Sequence, residues 1–292
     1  MKKPFLKAAA AFSAAAAALA VIRAVLVVNH IEKNTFYSSV YTLPDSALFR
    51  VFAVLVALLC AAAFALGIVK HRKKACVPDQ SAPAPTAAAF AVALALIVQA
   101  AMFVVYCFEK KMQPDAANII EAAFALAASL LFFLPLGVRF IRGAKTPLPL
   151  FTAFVPVLYC CVRLMVDFIR TNAAPMDSSN AYHILSLVAL LMLITAESAA
   201  AMHPVAPFRF VCFGLSATAL LLIYAVPNIV LPAFGLLEFD YLTIVSVGDI
   251  CLALYCGARV ATCGIADMPP KTENKKAAEP EPGERDGTAP EE

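Results

Sequence analysis

Eight long apolar stretches occupy most of this 292-residue chain and leave little room for anything except helices that cross a membrane. A helix that spans the hydrocarbon layer needs about 20 mostly apolar residues, because lipid offers the backbone no hydrogen-bond partners. Only 15% of the residues are charged, against roughly 25% in soluble domains. The predicted spans are residues 8–28, 47–69, 87–108, 116–138, 148–169, 181–202, 208–231 and 240–261. The sequence therefore predicts an all-α, polytopic membrane protein, a bundle of eight transmembrane helices.

The segments outside the spans are short, so no separate soluble domain is expected. A Pro- and Ala-rich linker covers about residues 70–86. Residues 266–292 are charged, Pro-rich and nearly free of apolar side chains, and such a segment cannot offset the entropy of ordering. We predict a transmembrane domain over residues 1–265 and a disordered tail over residues 266–292, either inert or a site for a partner.

The N-terminus resembles a signal peptide, because lysines precede an Ala-rich run that ends in Ala18-Leu19-Ala20. The apolar run continues to Val28, which is the length of a full span rather than of a short signal sequence. We predict an uncleaved first helix, with cleavage as the alternative.

The basic residues give the bundle an orientation. Of the 23 Lys and Arg residues, two lie within spans, Arg23 and Arg163, and five fall on one side of the predicted membrane. These five are Lys33, Arg50, Lys110, Lys111 and Arg170. The other sixteen lie on the opposite side, which the positive-inside rule assigns to the cytoplasm. We predict a multi-pass protein of the plasma membrane, in bacteria the inner membrane, with both termini cytoplasmic.

Tyrosine shows the same asymmetry and supports this orientation. Six tyrosines map to the outer loops or outer helix ends, where aromatic rings favour the interface. They are Tyr37, Tyr41, Tyr106, Tyr182, Tyr224 and Tyr241.

The two halves of four spans resemble each other weakly. Gly137-Val138-Arg139 closes the fourth span and Gly257-Ala258-Arg259 closes the eighth, which suggests a 4 + 4 parallel repeat of the kind found among transporters. Shared hydrophobicity accounts for the likeness equally well.

Ionisable side chains within the predicted spans are the candidates for function, because they are expensive in lipid and normally face the bundle interior. They are Arg23, Glu121, Arg163, Asp167, Glu197 and Asp249. Asn228 joins them, since it follows Pro227 and precedes Pro232 in the seventh span, which we expect to be kinked or broken there.

We predict that five of these residues line a polar cavity open to the outside. They are Arg23, Arg163, Asp167, Asn228 and Asp249. Two arginines in low dielectric favour a small anionic or zwitterionic ligand. In the alternative, Arg163 and Asp167 form an interfacial i,i+4 ion pair, and Arg23 reaches the interface alone.

Glu197 lies in the cytoplasmic half of the sixth span, away from this group. A carboxyl group at that depth suggests a proton relay, or a carboxyl that bonds a neighbouring helix.

The motifs of several enzyme classes are absent from the sequence. It contains no HExxH, Gly-rich phosphate loop or GxSxG motif. The four histidines map to loops or helix ends, so none is an obvious general base. The nine cysteines show no CxxC or metal spacing and are read as free thiols. We predict no catalytic residue, metal, cofactor or nucleic-acid partner.

Two functions fit these features. The first is a small transporter or permease-like protein that uses the outward-facing polar cavity. The alternative is a noncatalytic membrane sensor, scaffold or accessory subunit that assembles with a partner through its helices. The sequence leaves the substrate, coupling ion and oligomeric state open.

Overall fold

A computed structural model describes residues 5–30, 32–33, 41–42, 47–69, 74–77, 82–109, 115–142, 150–172, 178–200 and 205–267. Its helices are α1 (Leu6–His30), α2 (Ala47–Val69), α3 (Pro83–Phe108), α4 (Ala116–Ala128), α5 (Leu134–Arg142), α6 (Val155–Asn172), α7 (Ser178–Ala200), α8 (Pro207–Ala233) and α9 (Tyr241–Thr262). The strands are β1 (Glu32–Lys33), β2 (Tyr41–Thr42), β3 (Lys74–Val77) and β4 (Gly264–Asp267). The predicted tail beyond Asp267 lies outside the described residues.

The predicted membrane fold is confirmed. Within the described residues, eight helical spans are long and apolar enough to cross a membrane. The fourth span joins α4 to α5 through a π-helical turn, Ser129–Phe133, and the fifth begins with a 3₁₀ turn, Leu150–Phe154, before α6. The 4 + 4 repeat and the division into domain and tail remain predictions.

Helix α8 forms the centre of the bundle. In its most apolar 18-residue window 83% of the residues are buried, against 22% in α2. It packs against α1, α2, α7 and α9, while α9 also packs against α3, and α6 lies between α4 and α7. The seventh span is therefore surrounded mainly by protein rather than lipid.

The seventh span was expected to be kinked or broken at its prolines, and α8 is continuous through Pro227 and Pro232. A proline removes the N–H that would bond to the carbonyl four residues earlier. For Pro227 that carbonyl belongs to Ile223, and Arg23 of α1 donates to it at 2.8 Å. Pro227 thus leaves this carbonyl without its helical partner, and a neighbouring side chain satisfies it without breaking the helix.

Small residues bring the helices close together, as the Ala-rich spans suggest. A Cβ at Gly137 of α5 would lie 2.9 Å from the Cα of Phe90 in α3. In the same pair of spans, Ser129 donates its hydroxyl to the carbonyl of Ala93 at 2.8 Å. A close backbone approach and an interhelical hydrogen bond thus fix the fourth span against the third.

The reading of all nine cysteines as free thiols was wrong for two of them. Strands β3 and β4 pair in antiparallel fashion, and Cys76 and Cys263 form a disulfide between these two chain segments. Strand β3 falls in the predicted linker, and β4 extends two residues into the predicted tail. Sequence spacing missed the pair because 187 residues separate its members.

The disulfide gives a test of both the fold and the orientation. After free thiols are blocked in the purified, oxidised protein, we expect mass spectrometry to recover the peptides of Cys76 and Cys263 linked to each other. Cys76→Ser and Cys263→Ser abolish the linked species, whereas Cys107→Ser leaves it unchanged. Disulfides are rare in the cytosol, so recovery of the bond from cells would place this end of the bundle in an oxidising compartment and reverse the predicted orientation. Failure to recover it from oxidised, purified protein would contradict the fold.

Candidate polar cavity

A cavity of about 260 Å³ lies among α4, α6, α7, α8 and α9. It sits at the outer end of the bundle, defined as the end that holds the N-termini of α4, α7 and α9. Its lining residues are Asn118, Glu121, Arg163, Asp167, His183, Tyr224, Asp240, Tyr241, Leu242 and Val245. The volume suits a molecule smaller than a typical drug, since drug-sized pockets run from roughly 300 to 1,000 Å³.

Arg163 and Asp249 form a buried ion pair, the floor pair, beside this cavity. The two Arg163 terminal nitrogens lie 2.6 and 2.8 Å from the two oxygens of Asp249, with side-chain exposures of 1% and 0%. This two-pronged geometry joins α6 to α9. The expected pairing of Arg163 with Asp167 one turn away is replaced by a pairing between helices, because α9 brings a second carboxylate closer.

His183 bridges the floor pair and Asp167. Its Nε2 lies 3.2 Å from an Arg163 nitrogen, and its Nδ1 lies 3.5 Å from Asp167. The imidazole stacks on the ring of Tyr224 in α8, with centroids 3.9 Å apart. These contacts bring α6, α7 and α8 together around one titratable group.

The charges around the cavity are mostly acidic. Among the described residues that line it, Glu121, Asp167 and Asp240 are acidic and Arg163 is the one Lys or Arg. The charge of Arg163 is balanced by Asp249. The cavity surface thus has an excess of carboxyl groups over cations, which is the reverse of what two arginines led us to expect.

Two of the five predicted site residues lie apart from this cavity. Arg23 lies with its guanidinium carbon 4.6 Å from the centre of the Tyr182 ring, besides its bond to Ile223. Asn228 donates to Ser246 at 3.2 Å and lines a smaller neighbouring cavity that shares Asp240. The structure therefore brings Arg163, Asp167 and Asp249 together, and leaves Arg23 and Asn228 in separate contacts.

Glu197 lies near the inner end of the bundle, opposite the outer end, and is held by two partners from α9. It forms an ion pair with Arg259 and accepts from the Tyr255 hydroxyl at 2.9 Å to each oxygen. These contacts favour a carboxylate that joins α7 to α9, and the proton relay remains an untested prediction. Asp249 and Arg259 are ten residues apart on α9, so the two ion pairs are separated by roughly 15 Å along the helix.

Sequence reasoning missed three residues of the outer end. His183 was assigned to a helix end, but α7 begins at Ser178 and carries it one turn inside. Tyr224 was read as an interfacial ring, and Gln99 was not considered. Gln99 is fully buried and donates to the hydroxyl of Tyr241, which lines the cavity, at 3.3 Å. The sequence did contain a signal for Gln99, because a glutamine within an apolar span is unusual.

Within the described residues, no group of three or more His, Cys, Asp or Glu side chains is arranged to hold a metal ion. The described polar groups of the outer end include the carboxyl groups, the floor pair, His183 and the tyrosines. The chain matches no known family model, and no curated protein or solved structure is detectably similar to it.

Proposed function

We propose that this integral membrane protein is a small transporter of the plasma membrane, with the cavity open to the outside and both termini in the cytoplasm. Its ligand is a small molecule with a positively charged amine, either zwitterionic or cationic. The acidic lining of a 260 Å³ cavity is the observation that carries the proposal.

The charges favour an ammonium group over an anion. A carboxylate ligand would meet Glu121, Asp167 and Asp240, while Arg163 already pairs with Asp249. An ammonium group would gain charge-assisted hydrogen bonds from the same side chains, in a site where low dielectric strengthens them. In a zwitterion the ammonium group can make the same contacts and also offsets the charge of its own carboxylate. Of the two ligand classes inferred from the sequence, the zwitterionic one is retained.

The arrangement of the two ion pairs supports transport. The cavity lies beside the floor pair, and the contact of Glu197 with Arg259 and Tyr255 closes the helices nearer the inner end. Alternating access requires a site reached from one side while the opposite side is closed. Helix α9 contributes Asp249 to one ion pair and Arg259 to the other, so a movement of α9 would act on both pairs together.

Three probes of equal chain length but different charge test the ligand class. These are butylammonium, 4-aminobutyrate and butyrate, titrated calorimetrically into the purified protein at pH 7. We expect the first two to bind at least tenfold more tightly than butyrate, a difference of about 1.4 kcal/mol. Asp167→Asn and Glu121→Gln weaken binding of butylammonium by about tenfold, since each removes a charge-assisted hydrogen bond.

The matched control is Glu238→Gln, which removes an exposed carboxyl group at the same end from a residue outside the cavity lining. It leaves the affinity unchanged. Butyrate binding as tightly as butylammonium, or a loss of affinity in Glu238→Gln equal to that in Asp167→Asn, would contradict the acidic-cavity account.

A noncatalytic sensor, scaffold or accessory subunit is the second candidate. The exposed apolar side chains of α2, among them Val51, Val54 and Leu58, favour it, because such a face suits either lipid or a partner helix. A sensor would bind the probes without moving them across the membrane, and a scaffold would bind none of them.

A further inference from the structure

We propose that His183 is the site of a coupling proton, so that binding of an ammonium ligand in the cavity releases a proton from this imidazole. The inference rests on the proposed function for the ligand, and on the contacts of His183 for the proton. It assigns the coupling ion of the proposed transporter and makes it a proton–cation exchanger.

The contact between Arg163 and His183 suits a neutral imidazole. An arginine side chain has donors only, so the Nε2 atom 3.2 Å away must accept. A ring that accepts at Nε2 is neutral and has its hydrogen on Nδ1, which faces Asp167 at 3.5 Å. The structure thus corresponds to the deprotonated form of the site.

A second proton on His183 would disrupt this arrangement. An Nε2–H and the Arg163 N–H would both be donors, so their contact would be lost. The same Nε2 lies 3.8 Å from the Asp249 oxygen that Arg163 now contacts at 2.8 Å. Imidazolium and guanidinium would then compete for one carboxylate oxygen, and the floor pair would be weakened.

Every helix around His183 contributes a group that affects this equilibrium. Helix α6 provides Arg163 and Asp167, α9 provides Asp249, and α8 provides the stacked ring of Tyr224. Glu121 of α4 lines the same cavity.

A further cation, Arg23 of α1, lies with its guanidinium carbon 4.6 Å from the ring centre of Tyr182, the residue that precedes His183 in α7. Carboxylates on two faces stabilise an imidazolium, and guanidinium groups oppose it.

Ligand and proton are coupled because they need the same carboxylates. Asp167 contacts His183 and also lines the cavity where the ammonium group would bind. An ammonium ligand that takes Asp167 removes the group that stabilises the imidazolium, and its own positive charge repels it. One cation enters as one proton leaves, so the charge of the site is unchanged.

The first experiment tests titration of His183 without any ligand. The triple variant His30→Gln, His71→Gln, His203→Gln leaves His183 as the last of the four histidines, so its ¹³Cε1 NMR signal needs no assignment. In detergent-solubilised protein we expect this signal to titrate between pH 5 and 8. A signal that stays at the neutral position over this whole range would overturn the proposal.

The second experiment counts protons released on binding. Butylammonium is titrated calorimetrically at pH 6.5 in buffers of low and high ionisation enthalpy. We expect release of up to about one proton per ligand from the wild type, and almost none from His183→Gln, whatever the affinity of that variant. Glutamine can accept from Arg163 and donate to Asp167, so the variant preserves both contacts without titrating.

The two experiments separate the two proposals. Equal proton release by the wild type and His183→Gln, or no release by either, would overturn the role of His183 even if the ligand binds. Failure of butylammonium to bind at any pH would count against the proposed function, and the NMR titration would then decide alone whether His183 is a proton site.

Discussion

Asp249→Leu is expected to lower the free energy of unfolding by about 3–5 kcal/mol, because it leaves the buried guanidinium of Arg163 without its partner. Arg163→Met is expected to have an effect of similar size. Both side chains are at most 1% exposed, so the stranded guanidinium would have little of the hydration that it has in water. The measurement is unfolding of the purified protein in mixed detergent micelles with increasing SDS.

The double variant Arg163→Met, Asp249→Leu separates loss of the pair from loss of one charge. We expect it to recover much of the stability lost by either single variant, since no charge is then stranded. The control Arg209→Met removes an exposed arginine, and we expect a change within about 0.5 kcal/mol. Additive losses in the double variant would contradict a direct pairing.

The second large effect is expected at the inner end. Glu197→Leu leaves Arg259 buried without its carboxylate and is expected to cost about 3–5 kcal/mol of unfolding free energy. Tyr255→Phe removes the hydroxyl that Glu197 accepts from and is expected to cost about 1–3 kcal/mol. The same SDS titration measures both.

The pairing itself is tested by Glu197→Leu, Arg259→Met, which we expect to be more stable than Glu197→Leu alone. Glu238→Leu is the control, because it removes an exposed carboxyl group. If Glu197 relayed protons but did not stabilise the fold, the free energy of unfolding would be unchanged in all of these variants.

The membrane fold was predictable from the sequence because lipid imposes a length on each helix. The span 47–69 agrees with α2, Ala47–Val69, residue for residue. Differences arose where helices continue beyond the apolar run, as in α3, which begins at Pro83 rather than at residue 87. A proline is well tolerated at the first turn of a helix, because the N–H that it lacks has no partner there.

The candidate site was predictable in part, because hydrophobicity shows which polar residues are deep but not which helices are neighbours. Arg163 and Asp249 were both identified, yet the sequence paired Arg163 with Asp167 through local spacing. The contact between α6 and α9 is a property of the packed bundle. His183 was missed for a related reason, since an error of three residues in the start of α7 moved it from the interior to the surface.

The contact of Arg23 with the carbonyl of Ile223 could not be predicted from local sequence patterns. Its burial was expected, but the sequence does not show that Arg23 donates to the carbonyl that Pro227 leaves without a helical partner. In the structure Arg23 is not among the residues that line the cavity, so the main reason for expecting an anionic ligand is lost. The prediction of the ligand class therefore depended on where Arg23 packs, which the sequence does not show.

Counterflow of labelled 4-aminobutyrate into proteoliposomes loaded with the unlabelled compound tests the central claim most directly. A zwitterion crosses lipid slowly by itself, so accumulation of label reports the protein. We predict accumulation by the wild type and by Glu238→Gln, and a loss of about tenfold or more in Asp167→Asn. Binding without any counterflow would contradict transport and leave a sensor as the function of the cavity.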